Sequence, residues 1–148
     1  SASKSAVMWN KKTKYALKAL SYIGSRYDSD KRVLSKEIAE KHGISVKFLE
    51  AILLELRNAG ILSSRKGKGG GYYLLKPPAE IPLSKIIRLT DGPISVLPCT
   101  SLFFYERCSD CPAEGNCKIR ETGIAIRDCT LAILDSKTLA DVISETEV

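Results

Sequence analysis

Four cysteines, Cys99, Cys108, Cys111 and Cys117, fall within nineteen residues. Thiols this close suit a soft metal or an iron–sulfur cluster, because thiolate sulfur is the ligand those centres favour. A structural zinc is often held by two Cys-x-x-Cys pairs. Here there is one such pair, Cys108 and Cys111, with a lone cysteine on either side, and the spacing leaves zinc and a cluster both open. A redox disulfide between two of these thiols is a third chemistry. The fifth cysteine, Cys129, falls on an apolar helical seam and reads as a small hydrophobe. The chain carries no signal-peptide core and no apolar run of membrane-spanning length, so a reducing, cytoplasmic setting is expected. No nucleophile with a neighbouring base stands out, and the only histidine, His42, sits beside Gly43 at a predicted helix end. It reads as a cap. An enzyme is the least supported class.

The second stretch with chemistry is Arg65-Lys66-Gly67-Lys68-Gly69-Gly70-Gly71. A nucleotide-binding glycine loop needs a strand before it, a helix after it and a Lys-Ser/Thr or GxGxxG frame. Here a helical pattern comes before and the strand-like run Tyr72-Tyr73-Leu74-Leu75 after. A hairpin that meets DNA phosphates fits better, since lysine and arginine neutralise backbone charge and glycines let the main chain approach closely. Charge placement agrees. The 148 residues carry a net +6, but residues 1–76 hold 16 basic against 6 acidic side chains and residues 77–148 hold 7 against 11. A basic front and an acidic back point to a polyanion on one side only.

The elements that must position these stretches are legible. Ile44-Ser45 opens a helix in which Phe48, Leu49, Ile52, Leu53 and Leu56 form an apolar face, and Gly60 ends it. Two helices come before it: one from Thr13, as cap, to about Tyr27, and a short one capped by Ser35. The latter is separated from Ser45 by the tight turn a helix-turn-helix requires. Ile61-Leu62 and Tyr72–Leu75 make the two strands of the wing. After Pro82 a short helix runs to Asp91-Gly92. A long helix then starts after Asn116 as N-cap, with Ile119, Ile126 and Ile133 every seven residues, a seam suited to pairing with a second helix. Packing of that helix within its own chain is the alternative. Ser136 caps a final short helix. The expectation is a mainly α fold: a leader at 1–7, a winged helix-turn-helix domain with a two-stranded β wing at 8–92, a cysteine-rich loop at 93–117, and a dimerisation helix with a C-terminal helix at 118–148.

The blocks TKYALKAL, EIAEKHGIS, FLEAILLELRNAGIL, GGGYYL, IIRLTDGPI and LDSKTLADVI closely resemble the bacterial Rrf-two family of winged-helix transcriptional regulators. That family spans iron–sulfur, nitric-oxide and cysteine-metabolism regulators. The resemblance covers nearly the whole chain from Met8. It implies a homodimer with crossed long helices, bound to an inverted-repeat DNA operator, and the expected action is that of a repressor. The DNA contacts it implies are Ser45, Lys47, Phe48 and Glu50 on the recognition helix, with Arg65, Lys66 and Lys68 on the wing. Glu50 would accept from a cytosine amine. Lys66 stands where relatives usually have an arginine, so this wing is expected to hold phosphates more than read sequence. The resemblance also implies an iron–sulfur cluster, 2Fe–2S or 4Fe–4S, on Cys99, Cys111 and Cys117. Where relatives take a fourth ligand from a histidine early in the long helix, or from an acidic residue in the first helix, this chain has neither, and Cys108 or Glu121 would complete the set. Zinc, or no metal with control by a partner protein or thiol oxidation, is the alternative within the family. A protein-interaction module is the alternative outside it.

Overall fold

Among the described residues the elements run in the order α1 (Lys11–Gly24), α2 (Ser35–His42), α3 (Val46–Asn58), β1 (Leu62–Arg65), β2 (Gly71–Leu74), α4 (Leu83–Asp91) and α5 (Lys118–Ser136). β1 and β2 form one antiparallel sheet. The computed structural model describes residues 9–143. The leader expected at 1–7 and the end of the C-terminal segment lie outside the described residues. The architecture is the winged helix-turn-helix with a long appended helix that the sequence pattern predicts.

The centre of the domain is the apolar stripe of α3. Leu49, Ile52, Leu53 and Leu56 are buried, in one cluster with Ala16, Ala19, Leu20 and Ile23 of α1 and Ile38 and Ala39 of α2. Each fully buried aliphatic side chain contributes about 1.5–3 kcal/mol, so this stripe fixes the angle at which α3 leaves the core. Ser45 caps α3 as expected, its Oγ accepting from the Phe48 amide at 3.4 Å. At the other end the Gly60 amide donates to Arg57 O and the Ile61 amide to Leu56 O. Both bonds satisfy carbonyls that the helix leaves open.

Several boundaries differ from the expectation. The cap of α1 is Asn10, whose side chain accepts from the Thr13 amide at 2.8 Å. Thr13 itself is fully buried and its hydroxyl pairs with that of Thr90 at 2.9 Å. The helix stops at Gly24, short of Tyr27. Ser35 is the first residue of α2 rather than its cap. Phe48 is 40% exposed rather than part of the buried face, because it lies at the margin of the stripe, edge-on to Tyr15. Arg65 ends β1 and leaves residues 66–70 as the wing tip. Cys117, not Asn116, is the N-cap of α5, its Sγ accepting from the Arg120 amide at 3.4 Å.

After α5 the expected helix is a 3-10 turn, Leu139–Val142, capped by Thr138 and Asp141. Ser136 belongs to α5 and donates to Ile133 O. The Leu139 amide donates to Ile81 O and the Leu83 amide to Lys137 O, so this tail closes over the start of α4. No helix among the described residues is long and apolar enough to cross a membrane.

Candidate nucleic-acid interface and cysteine loop

The core that buries one side of α3 leaves the other side open. Ser45, Lys47, Phe48 and Glu50 are all exposed, clustered in its first turn and a half. Glu50 is oriented from the side, since its Oε1 accepts from the Ser35 hydroxyl of α2 at 3.1 Å. One carboxylate oxygen is thereby held and the group is aimed outward. The wing is tied to the same helix by Arg57, whose guanidinium donates to Ser64 Oγ at 3.2 Å. This bond links the wing to α3 by a side-chain contact.

The wing has a third pairing that the sequence did not reveal. Val33 lies antiparallel to Tyr72, with the Tyr72 amide donating to Val33 O at 2.7 Å and the Val33 amide to Tyr72 O at 2.9 Å. Gly71 is what lets this segment close on β2. Its φ is +134°, and a Cβ there would stand 2.7 Å from Val33 O. Beyond it the tip carries Lys66 and Lys68, both exposed, and points away from the core.

The cysteine loop is built on local turns. Cys99 sits buried in a 3-10 turn, Pro98–Thr100. The Glu106 amide donates to Pro98 O, which returns the chain to that turn. Tyr105 then hydrogen-bonds to Glu114 and closes a small loop, in which the Cys111 amide donates to Cys108 O and Arg107 donates to Cys111 O. Cys108 is thereby brought near enough to Cys99 and Cys111 for both to act on its thiol. Burial, then the neighbouring Cys99, Asp110 and Cys111, push the Cys108 thiol above the ordinary cysteine range. Cys117 is set apart as the cap of α5. The donor chemistry, four soft thiols in one loop, fits an iron–sulfur centre. Among the described residues, however, no three His, Cys, Asp or Glu side chains stand in an arrangement that holds a metal ion.

The loop is clamped to α5 at two points one turn apart. Arg127, mostly buried, donates to Thr100 O at 2.8 Å. Gly123 lets Thr100 pack against the helix, where a Cβ would come within 3.0 Å of its methyl group. The inner face of α5 (Gly123, Leu131 and Leu134) is buried, while Ile119, Ile126 and Ile133 are 71%, 45% and 52% exposed. Cys129 is exposed on the same side as these isoleucines rather than packed in its own domain.

Residues 9–145 match the family model Rrf2, described as an iron-dependent transcriptional regulator. An rrf2-like HTH-type transcriptional regulator of Rhodobacter capsulatus is 42% identical over 139 residues, 93% of each chain. The HTH-type transcriptional regulator NsrR of Geobacillus kaustophilus is 31% identical over 133 residues, covering 90% of this chain and 87% of that protein. The solved structure of CymR, the global cysteine regulator of B. subtilis, superposes with a TM-score of 0.75 at 32% identity, covering 93% of this chain and 96% of that one.

Proposed function

The chain belongs to the Rrf2 (Rrf-two) family of transcriptional regulators, and from that membership we propose that it is a homodimer that binds an inverted-repeat DNA operator as a repressor. The supporting observation is the pairing of an exposed, polar first turn of α3 with a lysine-bearing wing that Arg57 locks to the same helix. Ser45, Lys47, Phe48 and Glu50 meet base edges and the adjacent backbone in the major groove. Arg65, Lys66 and Lys68 meet the backbone beside it. Lys66→Ala with Lys68→Ala tests this. Removing two phosphate contacts lowers the slope of log affinity against log salt by about 1.8, and affinity roughly thirtyfold at ~0.15 M salt. The readout is fluorescence titration of a duplex that this protein enriches from a random-sequence pool. An unchanged slope would remove the wing from the interface.

The loop at 93–117 is the sensing element of this reading. Cys99, Cys111 and Cys117, with Cys108, are the residues that would hold an iron–sulfur cluster, which when bound supplies one-electron redox chemistry and lability toward oxidants. The chain's own part is transmission. Because Arg127 and Gly123 bind the Pro98–Thr100 turn to α5, a change of order in the loop is felt along that helix. Two reading heads joined through α5 are then displaced relative to each other, and a small angular change spoils simultaneous contact with two half-sites.

The closeness of Cys99 and Cys108 favours a second reading, a thiol switch. In it the two thiols are oxidised by hydrogen peroxide: the S–S bond forms, two electrons and two protons pass to the oxidant, and its O–O bond breaks to give two waters. Anaerobic purification with an absorption spectrum and iron, sulfide and zinc analysis separates the readings. The cluster reading expects visible charge-transfer bands with matched iron and sulfide, lost in Cys99→Ala. A colourless, metal-free protein that forms a Cys99–Cys108 disulfide under peroxide, detected by peptide mass mapping, replaces it with the switch. A colourless protein with bound zinc makes the loop a structural clasp.

A further inference from the structure

The pairing of Val33 with Tyr72 and of Ser63 with Tyr73 sets Arg32, Tyr73 and Ser63 side by side across three strand-like segments. Arg65, two residues beyond Ser63 on β1, faces the same way because side chains alternate along a strand. Leu62 and Leu74, the buried pair of the hairpin, face the core. The row is therefore on the wing's outer face. The Arg32 guanidinium lies 5.1 Å from the centre of the Tyr73 ring. Its Nε is buried and finds no hydrogen-bond partner among the described residues. Ser63 and Arg65 beside the Tyr73 hydroxyl hold it below its ordinary range, and the Arg32 charge acts in the same direction. Arg65 and Arg32 both act on Tyr73 as positive charges. Two guanidiniums in one row with a phenol, one of them with an unpartnered Nε, suit an anion with several acceptor oxygens.

We propose that Arg32, Tyr73 and Arg65 form a phosphate-binding row on the outer face of the wing, which grips one DNA strand beside the groove that the wing tip enters. The inference rests on the DNA-binding reading above. A hairpin tip inserted in a groove has a phosphate backbone passing on each side. The inner side is taken by α3 and the core, so the outer side meets the flanking strand. Arg65 is adjacent in sequence to Lys66, which makes the row continuous with the tip. That continuity favours DNA over an acidic protein as the occupant. The contacts add affinity without reading sequence.

The test is fluorescence titration of the full chain with two duplexes, one enriched from a random-sequence pool and one unrelated, over a range of salt. Arg32→Gln and Arg65→Gln are each expected to lower the salt slope by about 0.9, and affinity roughly fivefold at ~0.15 M salt, on both duplexes alike. Arg32→Lys keeps the charge and is expected to retain the slope, which separates a phosphate contact from loss of folding. Lys66→Ala with Lys68→Ala runs beside them. If that pair weakens binding while Arg32→Gln and Arg65→Gln leave slope and affinity unchanged, the row is overturned, the regulator reading stands, and an acidic protein becomes the occupant to seek. If the unaltered protein binds neither duplex, the regulator reading itself falls.

Discussion

Ile126→Asp combined with Ile133→Asp is expected to leave a folded monomer that has lost operator binding. Both side chains are about half exposed in the single chain, so replacing them removes nothing from its own core, and helical circular dichroism should hold. In a symmetric pair of α5 helices the same two positions recur on the partner, so each aspartate would sit in an apolar seam near its own copy. Burying unpaired carboxylates there costs several kcal/mol, on top of about 1.5–3 kcal/mol for each isoleucine no longer covered. The consequence for DNA is larger than for the fold. One reading head binds a half-site alone, and losing the linked second head costs roughly 10²- to 10⁴-fold in affinity. Light scattering reports the mass and titration of the enriched duplex reports the affinity. A variant that stays dimeric would move the interface elsewhere, the exposed run of Leu102, Phe103, Phe104 and Tyr105 being the next surface to test.

What was readable in the sequence follows from how local its cause is. The α3 stripe, its Ser45 cap and the Gly60 stop all depend on residues within two turns of one another, and they stand as expected except for Phe48 at the margin of the stripe. Thr13 was misjudged for the opposite reason. Its type suits a cap, but its hydroxyl is taken by Thr90, seventy-seven residues away, and Asn10 caps instead. The terminal helix failed similarly: hydrogen bonds to Ile81 and from Leu83 hold that tail against the α4 start, and only a 3-10 turn forms.

In the cysteine loop the count and chemistry of the thiols were legible, but not the partner of each. That Cys99 lies by Cys108 depends on the Glu106–Pro98 and Tyr105–Glu114 bonds, which no spacing rule contains. Arg32 was invisible as a functional residue. A lone arginine in a loop has no periodicity, and it matters only once the third pairing of the wing is known. The available signal was faint: a cation just before a short β-prone pair, with the glycine run that allows close approach lying forty residues on.

That close approach, together with its positive φ, makes Gly71 a position where a single methyl group should do great harm. Gly71→Ala is expected to destabilise the protein by about 3 kcal/mol or more, since its backbone region is nearly closed to side chains and the new Cβ meets backbone rather than a side-chain end. Val33 O cannot retreat without breaking its hydrogen bond from the Tyr72 amide, which is the bond that holds the third segment to the wing. Gly69 is the internal comparison. Its φ of +74° lies in the left-handed region and a Cβ there meets nothing within 4 Å, so Gly69→Asn should cost about 1 kcal/mol or less, asparagine being tolerated in that region. Denaturant unfolding of the two variants should therefore differ by a clear shift in midpoint, with Gly71→Ala far the lower. Salt titration should show the same ranking, because a wing detached from Val33 no longer holds Arg32 beside Tyr73. Equal midpoints for the two variants would mean that the Val33 pairing does not hold the wing in solution, and the outer-face phosphate row would lose its geometric basis with it.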